Sequence, residues 1–435
     1  MILTIHRGSH EIGGTCIELE SRGGTRIVLD LGAPLPRSED TERKETDMTL
    51  PPVKGLYAEA LHEAPVDALL ISHAHQDHYG LMQSLRPDVP CFISEPTRRL
   101  VELTALYTGS GVSVNNYRTF TSGAAFVVGD FTITPYLVDH SAFDAHAFLI
   151  DDGEKRLFYS GDFRAHGRKQ KLFDHFVAQP PPAVDVLLLE GTMLARPGEH
   201  CDSEQELEQK LVPLVVKEKG LVLAACSGQN IDRLVTLFRL AKRIGRTLLI
   251  DPYTAHILLT VSSFNPSLPH LSRSFGNNLA AFFPSRLTYR MRKHLQLGDM
   301  VKQFSAWQVR PQAILQRPDR YILLVRDSMV AELESTLKSA VQDSLLLYGQ
   351  WKGYWERPGM EQLKRWSEAE GMRFFYAHTS GHAMTKDLQQ LAAALKPKLI
   401  VPVHTSCPEE YAGLFATPVK VANDGETISI CRTGK

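Results

Sequence analysis

The chain has 435 residues, 43% apolar and 22% charged, with 48 Lys and Arg against 49 Asp and Glu for a net charge of −1. That length has room for two or three domains of about 150 residues with sizeable cores, and the near-zero charge excludes a global electrostatic footprint for nucleic acid or membrane. No run of about 18 apolar residues is present to span a bilayer, and six scattered cysteines without a CxxC pair exclude a zinc ribbon or a disulfide framework. The start, Met1-Ile2-Leu3-Thr4-Ile5, runs straight into a strand pattern without a signal-peptide design, so the expected compartment is the reducing cytoplasm.

In chain order, residues 2–6, 15–19 and 26–30 read as strands separated by Gly13-Gly14 and Gly23-Gly24. Asp30 closes the third strand after Ile27-Val28-Leu29. A carboxylate there either orients a neighbour or caps a turn, and taken alone the turn is the commoner reading. Residues 36–60 are polar and charged around Pro51-Pro52 and read as an excursion loop. A buried strand at 68–72 then runs into His73-Ala74-His75-Gln76-Asp77-His78. Three imidazoles and a carboxylate in six residues suit a metal. A solvated loop does not need them, and a core would not tolerate them unpaired. A helical period follows over 79–85, so these ligand types sit on a strand-to-helix loop, where α/β folds place their chemistry.

Strand patterns continue at 91–94, 125–128, 131–137, 147–150, 157–162 and 184–189. One leads to Asp139-His140, another ends in Asp162, and the last ends in Glu190-Gly191-Thr192. A single polar residue after a strand is ordinarily a turn residue. A series of strand ends that all carry ligand-type side chains points to one shared site. His146, His166, His378, Cys226 and Cys407 do not join this pattern and read as ordinary residues.

From 201 the texture changes. A helix at 203–219, a strand at 220–225, a helix at 231–244 and a strand at 247–250 predict a second α/β unit with a parallel sheet, continued by strands at 321–325 and 344–347 and a helix near 359–371. A strand at 373–376 leads into Ser380-Gly381-His382-Ala383. A helix at 386–395 and a strand at 399–403 then deliver His404. Ligand-type residues thus return late in the chain. The expected organisation is a first domain over 1–200, an insertion over 201–372 and a return over 373–435.

Between Arg233 and Arg326 stand 15 Lys or Arg against only Asp251, Asp299 and Asp319. Phe264, Phe275, Tyr289 and Trp307 are among the interleaved aromatic residues. The stretch suits single-stranded nucleic acid, and it also fits a solvated face over an aromatic core. Ser227-Gly228-Gln229-Asn230 either holds a phosphate at a helix start, through Ser227 and Asn230, or simply begins the helix.

Asp30, the HxHxDH run, His140, Asp162, Glu190, His382 and His404 resemble, in this order, the metallo-β-lactamase fold in its β-CASP nuclease branch. Ribonuclease J-like and cleavage-factor-like RNA-processing enzymes look nearest, and the resemblance covers essentially the whole chain. It implies an α/β class: an αββα sandwich interrupted by an inserted α/β β-CASP domain. It also implies two divalent metal ions, zinc by ligand type with manganese as the alternative. One would be held by His73, His75 and His140, and the other by Asp77, His78 and His404, with Asp162 bridging and Asp30 fixing a ligand imidazole from behind. Glu190 and His382 would form the acid side that protonates the leaving 3′-oxygen. Ser380 and the backbone at Gly381 are candidate phosphate contacts. One departure stands out: Gly191 follows Glu190 where the branch usually carries Ser. The sequence ends about 30 residues after His404, so no appended RNA-binding domain is expected.

The resulting expectation is two-metal hydrolysis of phosphodiester bonds in single-stranded RNA, by endonucleolytic or 5′→3′ exonucleolytic action, with no membrane partner and a homo-oligomer left open. His404 is the RNA-type choice at its motif, where DNA-processing relatives carry valine. A DNA nuclease or repair factor of the same architecture is the alternative. A small-molecule metallohydrolase would have no use for a large basic insert, and a non-catalytic RNA-binding protein no reason to keep the full ligand set.

Overall fold

Continuous apolar runs such as Ala68-Leu69-Leu70 and Val186-Leu187-Leu188-Leu189 are buried on both faces, as parallel strands inside a layered α/β fold must be. The structure, a computed structural model, describes residues 1–35, 49–196, 198–199, 201–356 and 358–430. Of the expected 36–60 excursion, residues 36–48 lie outside the described residues. The chain divides into two compact units, 1–200 with 381–435, and 201–380.

The first unit holds two sheets. One runs in the order β19 (Thr427–Ser429), β1 (Ile2–Arg7), β2 (Cys16–Glu20), β3 (Arg26–Leu29), β4 (Ala68–Leu70), β5 (Cys91–Ser94) and β6 (Tyr117–Phe120). The other runs β18 (Leu399–Pro402), β11 (Val186–Leu189), β10 (Arg156–Tyr159), β9 (His146–Asp151), β8 (Phe131–Leu137) and β7 (Phe126–Val128). Alternate residues of the second sheet go to opposite faces, as the period of two requires. Phe131, Ile133, Phe148, Ile150, Leu157, Tyr159 and Leu188 meet Leu3, Ile5, Ile17, Leu19, Leu29 and Leu70 of the first sheet in one core. Their neighbours Leu149, Phe158, Leu187, Leu189 and Ile400 pack outward on the helices Gln170–Ala178 and Thr385–Leu395. The helix Glu95–Thr108 covers β5, started by the Ser94 cap and stopped by Gly109 in left-handed backbone. This is the αββα sandwich.

Topology gathers the strand ends. β8 is antiparallel to β9, and β9 to β10, while β10, β11 and β18 are mutually parallel. β8, β10, β11 and β18 therefore run the same way and deliver His140, Asp162, Glu190 and His404 at one edge. In the first sheet β3 and β4 are parallel, so Asp30 and the 72–78 loop leave from neighbouring carboxyl ends. The helix expected over 79–85 is cut to one α-turn at Gln76–Tyr79 and a 3-10 turn at Met82–Ser84. Gly80 separates them, where a Cβ would stand 2.5 Å from the Gln76 carbonyl oxygen.

The second unit is a single sheet in the order β14 (Leu279–Ala281), β13 (Thr247–Ile250), β15 (Tyr321–Val325), β12 (Val222–Ala225), β16 (Leu345–Tyr348) and β17 (Arg373–Tyr376), parallel throughout. Because β17 pairs with β16, residues 373–380 stay with this unit and the chain re-enters the first at Gly381, later than the expected 373. Inside it, the buried Arg233 guanidinium meets Glu204 at 3.1 Å, the Thr379 hydroxyl at 3.1 Å and the carbonyls of Gly349 and Ala377. Among the described residues no helix is long and apolar enough to cross a membrane.

Candidate metal centre

Asp30 anchors the site from behind. It is fully buried, and its carboxylate accepts from the Ser72 amide (2.7 Å), the Ser72 hydroxyl (2.8 Å), the Tyr159 hydroxyl (2.7 Å) and His78 Nδ1 (2.8 Å). Since the Ser72 proton goes to Asp30, the Ser72 oxygen accepts from His73 Nδ1 at 3.0 Å. That leaves His73 Nε2 with a bare lone pair, and among the described residues this buried nitrogen has no hydrogen-bond partner. His140 donates from Nδ1 to the Gly381 carbonyl, which frees its Nε2 to face His75 Nδ1 at 3.2 Å. Two ligand atoms on one tetrahedral ion with bonds of about 2.0–2.1 Å stand roughly 3.3 Å apart, so this pair is spaced for a shared cation.

His78 presents Nε2 to Asp162 at 3.1 Å. His404 presents Nε2 to Asp77 at 3.3 Å, while its Nδ1 lies 3.0 Å from the Thr192 hydroxyl. Asp162 stands at the middle, 3.8 Å from His73 Nε2 and 3.7 Å from both His382 Nδ1 and His404 Nδ1, and among the described residues its buried Oδ1 makes no hydrogen bond. The result is three groups whose ligand atoms lie within 4.8 Å of one another: His73, His75 and His140; Asp77, His78, Asp162 and His404; and Asp162, Glu190, His382 and His404. The orphaned lone pairs and the mixture of imidazole and carboxylate fit divalent cations, zinc-type ions in particular.

Electrostatics agree with that fit. Burial, reinforced by the surrounding rings, pushes His73 and His140 well below the usual imidazole range. Burial also brings His75 down to about 4. All three are neutral near pH 7, the form a cation needs. Burial also opposes charge on His78, but Asp162 and Asp30 override it and raise its pKa. Asp77 and Asp162 are held as anions against the penalty of burial. His404 and His78 oppose that penalty at both, and His382 adds to them at Asp162.

Two of these residues carry strained backbone. Asp30 (φ 57°) and His404 (φ 51°) lie in the left-handed region, which costs a non-glycine residue about 1–2 kcal/mol. Backbone bonds offset it: the Asp30 amide donates to Leu70 O at 2.8 Å and the His404 amide to Gly8 O at 2.7 Å.

Glu190 is fully buried. It accepts from the Thr192 amide at 3.0 Å and the Ala383 amide at 3.1 Å, and its Oε2 lies 3.3 Å from His382 Nδ1. Burial disfavours a charged His382, yet Glu190 and Asp162 raise its pKa above the ordinary value. Gly191 has a local cause: a Cβ there would stand 2.2 Å from the Tyr411 hydroxyl, which donates to Leu189 O at 3.0 Å. The space a serine would fill is taken by Tyr411.

The four candidate phosphate contacts fare differently. Asn230 accepts from the Arg233 amide at 3.0 Å and caps the helix Ile231–Ile244, so its side-chain oxygen is used at the helix start. The Ser227 hydroxyl accepts from the Gln229 amide at 3.2 Å. Ser380 is buried, and Gly381 gives its carbonyl to His140. Ser227, Asn230 and Ser380 belong to the second unit and Gly381 to the first. His146 and His378 hydrogen-bond the carbonyls of Asp144 and Gly349. Sequence reasoning missed Ser72, Tyr159, Thr192 and Tyr411. Their signals are faint: a hydroxyl on an otherwise apolar strand end, and a threonine two residues past Glu190.

Comparison with known proteins follows the same lines. A profile described as beta-lactamase superfamily domain matches residues 48–209, and one described as Zn-dependent metallo-hydrolase RNA specificity domain matches residues 372–412. Ribonuclease J of Sinorhizobium meliloti is 23% identical over 389 residues, 87% of this chain and 63% of that protein. Ribonuclease J of Mycobacterium tuberculosis is 28% identical over 255 residues, 55% of this chain and 42% of that one. The chain therefore spans less than two thirds of the length of these relatives. Transcription termination factor FttA of Methanothermobacter thermautotrophicus is 26% identical over 237 residues, 49% of this chain and 35% of that one. Among solved structures, a protein of unknown function from Enterococcus faecalis superimposes with a TM-score of 0.78 at 20% identity, covering 98% of this chain and 99% of the other, which shows a shared fold.

Proposed function

The chain belongs to the ribonuclease J-like, β-CASP branch of the metallo-β-lactamase superfamily, and from that premise we propose that it hydrolyses phosphodiester bonds of single-stranded RNA in RNA processing or decay. The observation that carries the reading is the joining of two ligand groups through Asp162 to the Glu190–His382 pair. Two divalent ions, zinc or else manganese, held by His73, His75 and His140 and by Asp77, His78 and His404 with Asp162 between, would supply an acidified water and a clamp for the phosphodiester.

The remaining work falls to side chains of this chain. Glu190, pinned by two backbone amides, sets its Oε2 3.3 Å from His382 Nδ1 and so favours the protonated ring. His382 can then give a proton to the leaving 3′-oxygen at neutral pH. Asp30, Ser72, Gly381 and Thr192 each bind the far nitrogen of a cluster imidazole and hold the other toward the centre. Ser380 and Ser227 remain candidate phosphate contacts. The expected compartment is the cytoplasm.

The test is digestion of end-labelled single-stranded RNA carrying a 5′-monophosphate or a 5′-triphosphate, beside a matched DNA, with and without added zinc or manganese. Metal-dependent cleavage of RNA that is lost in both Asp77→Ala and His404→Ala is the expected result. Mononucleotide release would mark 5′→3′ exonuclease action and internal fragments endonuclease action. Equal cleavage of RNA by wild type and both variants would sink the assignment, and selective cutting of DNA would favour the repair-type reading.

A further inference from the structure

The 15 Lys and Arg between Arg233 and Arg326 are not one patch. Arg233 is taken by Glu204, Arg239 and Arg243 by Glu208, Lys302 by Asp299, Arg317 by Asp319 and Arg326 by Asp251. Arg246 is spent on the carbonyls of Glu218, Gly220 and Tyr321. Several of the aromatic residues go to the core as well: Phe282 and Phe304 are 1% exposed.

Eight are left, and four of them, Arg286, Arg290, Arg292 and Lys293, fall on one helix, Ser285–Lys293. Thr288 and Met291 face inward. Arg286, Tyr289, Arg290 and Lys293 fall at i, i+3, i+4 and i+7 and form an exposed stripe, with Arg292 beside it. Among the described residues, Arg286, Arg290, Arg292 and Lys293 make no ion pair, and the helix itself carries no acid. The nearest carboxylate contact is Glu332, which accepts from the Ser285 amide and hydroxyl at the helix start. Tyr289 is 61% exposed, and Lys293 Nζ lies 4.4 Å from its ring centroid.

Stabilisation of the helix dipole explains part of this. Arg290, Arg292 and Lys293 in the last turn meet the negative end of the dipole, but Arg286 sits in the first turn, where a cation is unfavourable. Arg286 and Arg290 also stand at i and i+4 as like charges, which destabilises a helix. The free fold gains nothing from a cation at Arg286, whereas a polyanion lying along the stripe offsets both costs.

We propose that this helix face is a binding surface for the phosphate backbone of single-stranded RNA, with Tyr289 as a platform for one base. This rests on the ribonuclease reading above. The stripe from 286 to 293 is about 10 Å long, enough for about two or three phosphates. A membrane surface would need several exposed apolar side chains beside the cations, and here Leu295 alone accompanies Tyr289. An acidic peptide would want a groove, and the stripe is convex helix.

The experiment is binding of a fluorescent single-stranded RNA of about 20 nucleotides to the full chain in chelating buffer, followed by anisotropy at several salt concentrations, with cleavage assayed separately in metal. Arg290→Glu with Lys293→Glu should weaken binding at least about tenfold and flatten the plot of log affinity against log salt by about 1.4, at roughly 0.7 per lost phosphate contact. Arg290→Gln with Lys293→Gln should flatten it equally with a smaller loss of affinity. Tyr289→Ala should weaken binding several-fold with the salt slope unchanged. Lys217→Glu with Lys219→Glu, an equal charge change at exposed sites of the same unit, should stay within about twofold of wild type. Wild-type affinity and slope in the helix variants would overturn the proposal, as would an equal loss in the Lys217 and Lys219 control. If wild type cuts RNA normally in those cases, only this surface falls. A wild type that neither binds nor cuts RNA overturns the functional reading along with it.

Discussion

At the carboxyl ends of the first unit's strands, His73, His140, Asp162 and His404 aim ligand atoms at one another, and two of those atoms have no hydrogen-bond partner among the described residues. At the carboxyl ends of the second unit's parallel strands the polar groups are just as dense, but they close on themselves. Asp251 after β13 pairs with Arg326 after β15 at 2.7 Å, and the carbonyls after β16 and β17 turn to Arg233, which meets Glu204. The two edges are topologically alike and chemically opposite. The second is a lock, because each charge there is matched within the fold. In the first, His73, His78, His140 and His404 are each held from behind, and among the described residues His73 Nε2 and Asp162 Oδ1 are left without a hydrogen bond, a costly state in a buried place unless a cation completes it. What marks a metal site is therefore where the hydrogen bonds are missing, and polar density alone does not.

The largest effect should come from the centre of the open edge. Asp162→Ala removes the carboxylate common to two of the three ligand groups. Cleavage should fall at least about a thousandfold, with elemental analysis showing fewer metal ions per chain. Full metal content with full activity would mean that Asp162 is structural.

The closed edge should break differently. Glu204→Ala strands the buried Arg233 guanidinium and should cost about 3–5 kcal/mol, read as a lower urea midpoint. Replacing the pair together, Glu204→Leu with Arg233→Met, should cost less than the single change. Metal content of the first unit should not move in either variant. A single substitution that costs under about 1 kcal/mol would show that this network locks nothing.

Next in size is the support behind the ligands. Asp30→Asn puts an amide where four donors converge, so metal affinity should fall about 10- to 100-fold by competition with a chromophoric chelator. Tyr159→Phe removes one of those four donors and should cost only about 1 kcal/mol of stability. Equal effects from the two would contradict the central place given to Asp30.

Much of this was legible because the chemistry is local. HxHxDH is dense in a way no turn requires, and β4, β10, β11 and β18 announce themselves as apolar runs that end in a ligand-type residue. The shared direction of β8, β10, β11 and β18, which turns four strand ends into one site, came through the family resemblance and not from any local pattern. Other features had no local signature. The helix Pro252–Ser262 is apolar over most of its length, so it shows little helical period. β19 is three residues long and exists only because β1 pairs with it. Of the 15 basic residues counted in one stretch, the sequence could not say which had partners, because Glu204, Glu208 and Glu218 lie outside that stretch. Gly191 read as a departure from pattern because its reason, Tyr411, stands 220 residues away.

The smallest effect tests the comparison most finely. Thr192 touches no expected ligand position on the cluster's open side. It acts through His404, whose Nδ1 lies 3.0 Å from its hydroxyl while Nε2 faces Asp77. If that hydroxyl fixes the tautomer, Thr192→Val, which keeps the shape and removes the acceptor, should weaken metal binding about tenfold. Thr192→Ser, which keeps the acceptor, should restore it. The loss should fall on one metal equivalent, since His73, His75 and His140 are held by other groups. A merely structural threonine would give the reverse pattern: Val tolerated and Ser, with its lost methyl, the more damaging change. Equal affinity in wild type, Val and Ser would mean that the bond from the His404 amide to Gly8 and the left-handed backbone suffice to aim this imidazole, and the open edge would then need less support from behind than its hydrogen bonds suggest.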